Sequence, residues 1–166
     1  MLERFTERAR RVVVLATDEA RRRGHSAVEP AHLLMGVLRD NEGMGAHLLH
    51  QLADHAALRA AAGQALDAIP ASPGGKVSLS TASKAVLQAA LAVDEEHCRG
   101  RVATEHLVGA LLKHDDSVVL PILYAASSDV ERTRRLIGIA RLVFRRPSDD
   151  AVRLIATSTW RIRNYR

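Results

Sequence analysis

Aromatic residues are scarce, with two Phe, two Tyr and one Trp making up 3% of the 166 residues. The core must therefore be filled by Leu, Val, Ile and Ala, which favours helices packed closely through small side chains. A single cysteine, Cys98, excludes an internal disulfide framework and suits the cytoplasm. The expected place for Cys98 is that of a half-buried small side chain, not a redox centre. Long apolar runs are missing too: Val12 to Ala16 and Val118 to Leu123 fall far short of a membrane span. Charge appears at once at the N-terminus (Glu3, Arg4, Glu7, Arg8), so no secretory leader is expected there. What is present is an ordinary globular balance, 47% apolar and 26% charged, in a length that suits one well-buried domain or two small units sharing a core.

The parts of an enzyme are missing as well. Gly74-Gly75-Lys76 lacks both the first glycine and the hydroxyl residue of a phosphate-binding loop. No HExxH pair occurs, and Cys98 has no second cysteine with which to hold zinc. The carboxylate pairs Asp94-Glu95 and Asp115-Asp116 are adjacent in sequence, so on a helix they point apart and read as solvated surface. No catalytic residue, metal or cofactor is expected.

The net charge of +5 invites a nucleic-acid reading, but its location argues against one for the folded body. Residues 1–140 hold 17 Lys and Arg against 17 Asp and Glu, and residues 141–166 hold seven Arg against two Asp. The whole excess belongs to the tail, which is expected to be flexible, so the body has no global field for a polyanion. A regulatory or nucleic-acid-associated role would have to act through that arginine-rich segment.

An internal repeat organises the rest. Sliding the chain by 74 positions sets Phe5 on Leu79, Val12 on Val86, Ala16 on Ala90, Val28 on Val102, His32 on His106, Leu33 on Leu107 and Leu38 on Leu112 without a gap. Thr6 then meets Ser80 and Val13 meets Leu87. The domain boundaries implied are a first repeat at 1–68, a linker at 69–78 rich in Pro, Gly and Ser, a second repeat at 79–140 and the basic tail at 141–166.

Each copy reads as four helices. Phe5, Ala9, Val12, Val13, Ala16 and Ala20 form one stripe at three- and four-residue spacing, with Arg8, Arg11, Asp18 and Arg22 on the other face. Gly24 ends this helix and Pro30 opens the next. Ala46 to Leu52 gives a third, and Asp54 caps a fourth that runs to about Asp67. In the second copy, Ser80 or Thr81 caps a helix to about His97, and Thr104 caps the next, with Glu105 complementing its dipole. Val118 to Ala125 follows, and Ser128-Asp-Val-Glu131 reads as a capping box for the last helix, to about Ala140. No strand pattern stands out except Leu154 to Ile162, read as tail. His32 and His106, each in the first turn of a helix, read as structural hydrogen-bonding residues. The fold class is all-α, two tandem four-helix repeats forming one globule.

The runs Arg4-Phe5-Thr6-Glu7-Arg8-Ala9-Arg10-Arg11-Val12, Gly24-His25-Ser26 leading to His32-Leu33-Leu34-Met35-Gly36, and Val102-Ala103-Thr104-Glu105-His106-Leu107-Val108 carry a family likeness. Over residues 1 to about 140 the chain resembles the double Clp N-terminal domain, the substrate-receptor module at the front of ClpC and ClpA unfoldases, with the ClpC type most similar. The resemblance implies eight helices with pseudo-two-fold symmetry, no ATPase of its own, and a surface for adaptors or tagged substrates. It implies phosphoarginine pockets, one per repeat, in which an acidic residue binds the guanidinium and helix-start N–H groups take the phosphoryl. The second copy keeps that chemistry at Val102, Ala103, Thr104 and Glu105. The first has Glu29, Pro30 and Ala31, with alanine where the carboxylate belongs, so one competent pocket is expected.

The resemblance also implies an inter-repeat groove for cyclic peptide antibiotics at Leu2, Arg10, Val13, Val14, Leu79 and Lys84. Two family aromatics are Leu2 and Leu79 here, and one of Val13 and Val14 is expected in the core. Because the unfoldases continue into ATPase modules, the expected role is that of a stand-alone cytoplasmic module. It would deliver tagged proteins to a ClpC-type unfoldase, or sequester them from it.

Overall fold

The computed structural model describes residues 2–72, 75–97, 101–114 and 118–143. After a 3-10 turn at Leu2–Arg4, the order is α1 (Glu7–Arg22), β1 (Ala27–Val28), α2 (Pro30–Asp40), α3 (Met44–Leu52) and α4 (His55–Asp67). It continues with β2 (Ser78–Leu79), α5 (Thr81–His97), α6 (Thr104–Lys113), α7 (Val119–Ala125) and α8 (Val130–Val143). The described residues are all-α apart from two short parallel pairings. Cys98, Asp115, Asp116 and the tail beyond residue 143, with its segment Leu154 to Ile162, lie outside the described residues.

Local chemistry sets the helix ends. The Thr6 hydroxyl accepts the Ala9 N–H at 3.2 Å to start α1, and the Ser80 hydroxyl accepts the Ser83 N–H at 3.1 Å to start α5, so Ser80 rather than Thr81 is the cap. Each such cap stabilises its helix by about 1 kcal/mol. Gly24, at φ +71°, turns the chain out of α1 through a left-handed conformation. Asp54 caps α4 by accepting from Ala57 at 2.9 Å. The cap of α8 is Asp129, which accepts the Arg132 N–H at 2.9 Å, so the capping box expected from Ser128 to Glu131 does not form. Pro121 lies in the first turn of α7, where its missing N–H costs little.

The two copies exchange contacts reciprocally. β1 pairs with β2 in parallel, Val28 opposite Leu79, while Phe5 bridges in parallel to Val102. In the 74-residue register these are the same pairing made twice: each copy's lead-in to its first long helix docks on the other copy's lead-in to its second. The hydrogen bonds repeat as well, Thr6 N–H to the Val102 carbonyl at 2.9 Å and Ser80 N–H to the Val28 carbonyl at 3.1 Å. These pairings were not legible as strands because each is too short to show an alternating pattern.

Helices interleave in the same way. α1 packs on α2 and α5 on α6, while α3 lies on α6 of the other copy and α7 on α2. Gly36 permits the α1–α2 approach, since a Cβ there would stand 2.4 Å from the Val12 carbonyl oxygen. Phe5, Leu33, Leu34, Leu49, Leu87, Leu107, Leu111 and Leu123 belong to one continuous core. Val13 is in that core and Val14 is exposed.

Candidate functional site

The start of α6 is built by the backbone of Ala103, which occupies the N-cap position with extended dihedrals and has no side chain that caps. Its own N–H donates to Nδ1 of His106 at 3.0 Å. The Glu29 N–H donates in the same way to Nδ1 of His32 at 2.9 Å in the first copy. The repeated histidine is therefore a structural acceptor that fixes the chain's entry into each helix. With Nδ1 accepting, neutral His32 carries its proton on Nε2, 2.9 Å from Nδ1 of buried His25. Burial, and then the neighbouring His25, push His32 down to about 4.

Thr104 corrects the sequence reading. It is the first helical residue of α6, not its cap, and its side chain is buried. Its hydroxyl accepts the Gly45 N–H at 3.1 Å and thereby caps α3 of the first copy, 59 residues away. It also donates to Oε2 of Glu105 at 3.4 Å. The two helix starts meet so closely that a Cβ on Gly45 would lie 2.6 Å from the Thr104 carbonyl oxygen. Val102 is fully buried, whereas Ala103 and Glu105 are half-buried. A partly accessible carboxylate therefore stands at a helix start whose first-turn N–H groups have no capping side chain, and the dipole there favours negative charge.

The equivalent position in the first copy is poorer in two ways. Pro30 has no N–H to offer, and Ala31 is fully buried with no carboxylate. Glu29, half-buried, is the N-cap of α2, but its side chain makes no capping bond.

Beside the α6 start lies a charged cluster that the sequence reading assigned to solvent. Arg8 donates to Oδ2 of Asp40 at 3.1 Å and to Oε2 of Glu42 at 3.3 Å, and Arg11 stands 3.8 Å from Oδ1 of Asp40. The Asp40 carboxylate is buried, and its hydrogen bond and charge raise the Arg8 pKa above the ordinary arginine value. The signal was hard to find because Arg8 and Asp40 are 32 residues apart and neither is repeated in the second copy, which has Ala82 and His114.

Of the residues assigned to the inter-repeat groove, Arg10, Val13 and Val14 share α1, and Arg10 and Val14 are exposed. Leu79 lies on β2 against Val28, half-buried like Leu2, and exposed Lys84 on α5 is the repeat equivalent of Arg10. No group of three or more metal-ligating side chains occurs among the described residues, and no helix there is long and apolar enough to cross a membrane.

The family model of the Clp repeat N-terminal domain matches residues 4–126. The chain belongs to the Clp N-terminal repeat family. It is 28% identical over 139 residues to the chaperone protein ClpB of Oceanobacillus iheyensis, and 30% identical over 140 residues to a ClpA homologue from Trieres chinensis. It is 28% identical over 145 residues to the chloroplastic ClpC1 of Oryza sativa subsp. japonica. These alignments take in 82%, 82% and 83% of the chain but only 17%, 16% and 16% of the relatives, so the chain spans about a sixth of their length.

The fold agrees with solved Clp N-domains. The N-terminal domain of Hsp104 from Candida albicans superposes with TM-score 0.67 at 20% identity, covering 80% of this chain and 88% of that one. The N-terminal domain of ClpD from Arabidopsis thaliana does so with TM-score 0.64 at 22% identity, covering 83% and 94%. A Clp N-domain is a protein-binding module of the Clp system, and the all-α interleaved architecture is that of the family.

Proposed function

We propose that this Clp N-domain is a non-catalytic receptor that takes phosphoarginine-type marks on proteins at the start of α6. The observation that supports the reading is the half-buried Glu105 carboxylate beside a helix start with no capping side chain. The guanidinium of the ligand pairs with Glu105, and the phosphoryl oxygens take first-turn N–H groups. Val102 and Ala103 form the backbone wall. Thr104 acts as a positioning residue, because its hydroxyl already holds Gly45. The Glu29-Pro30-Ala31 start has alanine at the position of Glu105 and lacks one N–H at Pro30, so the module has one pocket.

The repeats at 1–68 and 79–140, joined by the 69–78 linker, act as one receptor in the cytoplasm. They deliver tagged proteins or adaptors to a ClpC-type unfoldase, or sequester them from it. Val14, Leu2 and Leu79, flanked by the exposed cations Arg10 and Lys84, offer a second surface for cyclic peptide ligands.

Calorimetric titration of phosphoarginine into wild type and Glu105→Ala tests the pocket. The expected result is one site in wild type and about a tenfold or greater loss of affinity in the variant, the scale of one charge-assisted hydrogen bond. No binding by wild type, or equal affinity in the variant, overturns the assignment.

A further inference from the structure

A second cluster of charge lies at the other end of α1. Glu19 follows Arg8 by eleven residues, about 16 Å along the helix, and its side chain is only 2% exposed. Its Oε1 accepts from Arg22 Nη2 and from Arg23 Nε, both at 2.7 Å, and its Oε2 lies 3.4 Å from Nη1 of Arg39. Arg23 also reaches Asp67 and, at 3.4 Å, the Gly63 carbonyl. Burial alone would raise the Glu19 pKa, but hydrogen bonds from Arg23 and Arg22 outweigh it and hold the carboxyl below its ordinary value. These residues border a cavity of about 380 Å³, which Arg59 of α4 also lines. Arg59 is exposed and has no ion-pair partner among the described residues.

Three guanidinium groups, those of Arg22, Arg23 and Arg39, thus share two carboxylates, Glu19 and Asp67, and with Arg59 beside them the rim keeps an excess of positive charge. The carboxylates of Glu19 and Asp67 and the carbonyls of Gly63 and Leu15 take only part of the donors of these arginine forks, so donors remain available to a ligand. The scaffold does not require this arrangement. In the 74-residue register, Glu19, Arg22, Arg23, Arg39 and Arg59 correspond to Val93, Glu96, His97, Lys113 and Thr133, so the second copy forms its four helices with a different set of residues at these positions.

We propose that this cavity receives the carboxylates of an acidic segment of a protein partner, with Arg22, Arg39 and Arg59 as the contacting cations. Glu19 and Arg23 hold the rim in place, so little side-chain freedom is lost on binding. The three contacting arginines come from three helices, α1, α2 and α4. That spread suits several anionic groups along a chain better than a single small ion.

Fluorescence anisotropy of a labelled oligoglutamate peptide against the full chain tests this. Wild type should bind with an affinity that falls as salt rises. Arg59→Glu should weaken binding about tenfold or more, and Arg59→Lys should retain most of it. Arg59 has no ion pair to lose, so circular dichroism of Arg59→Glu should match wild type. The paired substitution Arg161→Gln with Arg163→Gln should leave binding intact. Unchanged affinity in Arg59→Glu overturns the proposal. So does loss of binding only in the tail variant, or displacement of the peptide by an equal concentration of inorganic phosphate, which would assign the cavity to a single phosphoryl group.

Discussion

Replacing Thr104 with valine should destabilise the first copy of the repeat although the substituted residue belongs to the second. Valine preserves the branched shape against Gly43 and Gly45 but removes the hydroxyl that accepts the Gly45 N–H at 3.1 Å. Gly45 is buried in the first turn of α3, and no side chain from its own loop caps that helix, since its N-cap is Gly43. A buried donor left without a partner costs about 1–3 kcal/mol, and the lost cap is that same bond, so about 2 kcal/mol is expected. For a domain of this size that lowers Tm by about 4–8 °C.

Urea unfolding followed by far-ultraviolet circular dichroism is the suitable assay, because the one tryptophan, Trp160, lies outside the described residues. The midpoint should fall with the slope unchanged. Thr104→Ser keeps the hydroxyl and should lose less than Thr104→Val. If the serine variant is the less stable of the two, the methyl group rather than the hydrogen bond is what matters, and the cross-copy cap is refuted. Thr104→Val also retains Glu105 and the first-turn N–H groups, so phosphoarginine affinity should drop far less than in Glu105→Ala.

Two further outcomes follow from the packing. His32, lowered to about 4 by burial and by His25, is neutral in the folded state, whereas the unfolded chain protonates near the ordinary 6.5. Its contribution is therefore complete above pH 6.5 and declines as pH falls toward 4, by up to about 3 kcal/mol. An NMR titration midpoint for His32 at or above 6 would contradict this. Gly36→Ala forces a Cβ to 2.4 Å from the Val12 carbonyl oxygen, which only separation of α1 from α2 can relieve. It should cost about 3 kcal/mol by thermal unfolding, and a variant as stable as wild type would mean the crossing is looser than described.

Much of the fold was legible because the repeat keeps its structural positions. Phe5 and Leu79, Val28 and Val102, and His32 and His106 align in sequence, and each pair does the same work in three dimensions. Pro30 and Gly24 marked their turns through local backbone chemistry, which needs no tertiary information. Thr104 misled for the opposite reason. A threonine at a helix start reads as that helix's own cap, and nothing local indicates that its hydroxyl is taken by Gly45 across the copy boundary. The Glu19 cluster was equally hidden. Arg22 reads as part of a polar face, and only the packing of α2 and α4 against α1 brings Arg39, Arg59 and Asp67 to the neighbourhood of the buried carboxylate.

The reciprocal exchange explains which positions diverged. A residue facing the other copy is packed from both sides, so Phe5, Val28 and their equivalents can vary only among apolar side chains. Elsewhere the copies differ in charge itself: Ala31 against Glu105, Arg59 against Thr133, Glu19 against Val93. One shared core therefore carries two unlike surfaces, an acidic group at the start of α6 and a cationic rim over α1, α2 and α4. With the fold secured by an exchange made twice, either surface can change without unfolding the other. Substitutions at Glu105 and at Arg59, which share no partner, should then act independently on their two ligands.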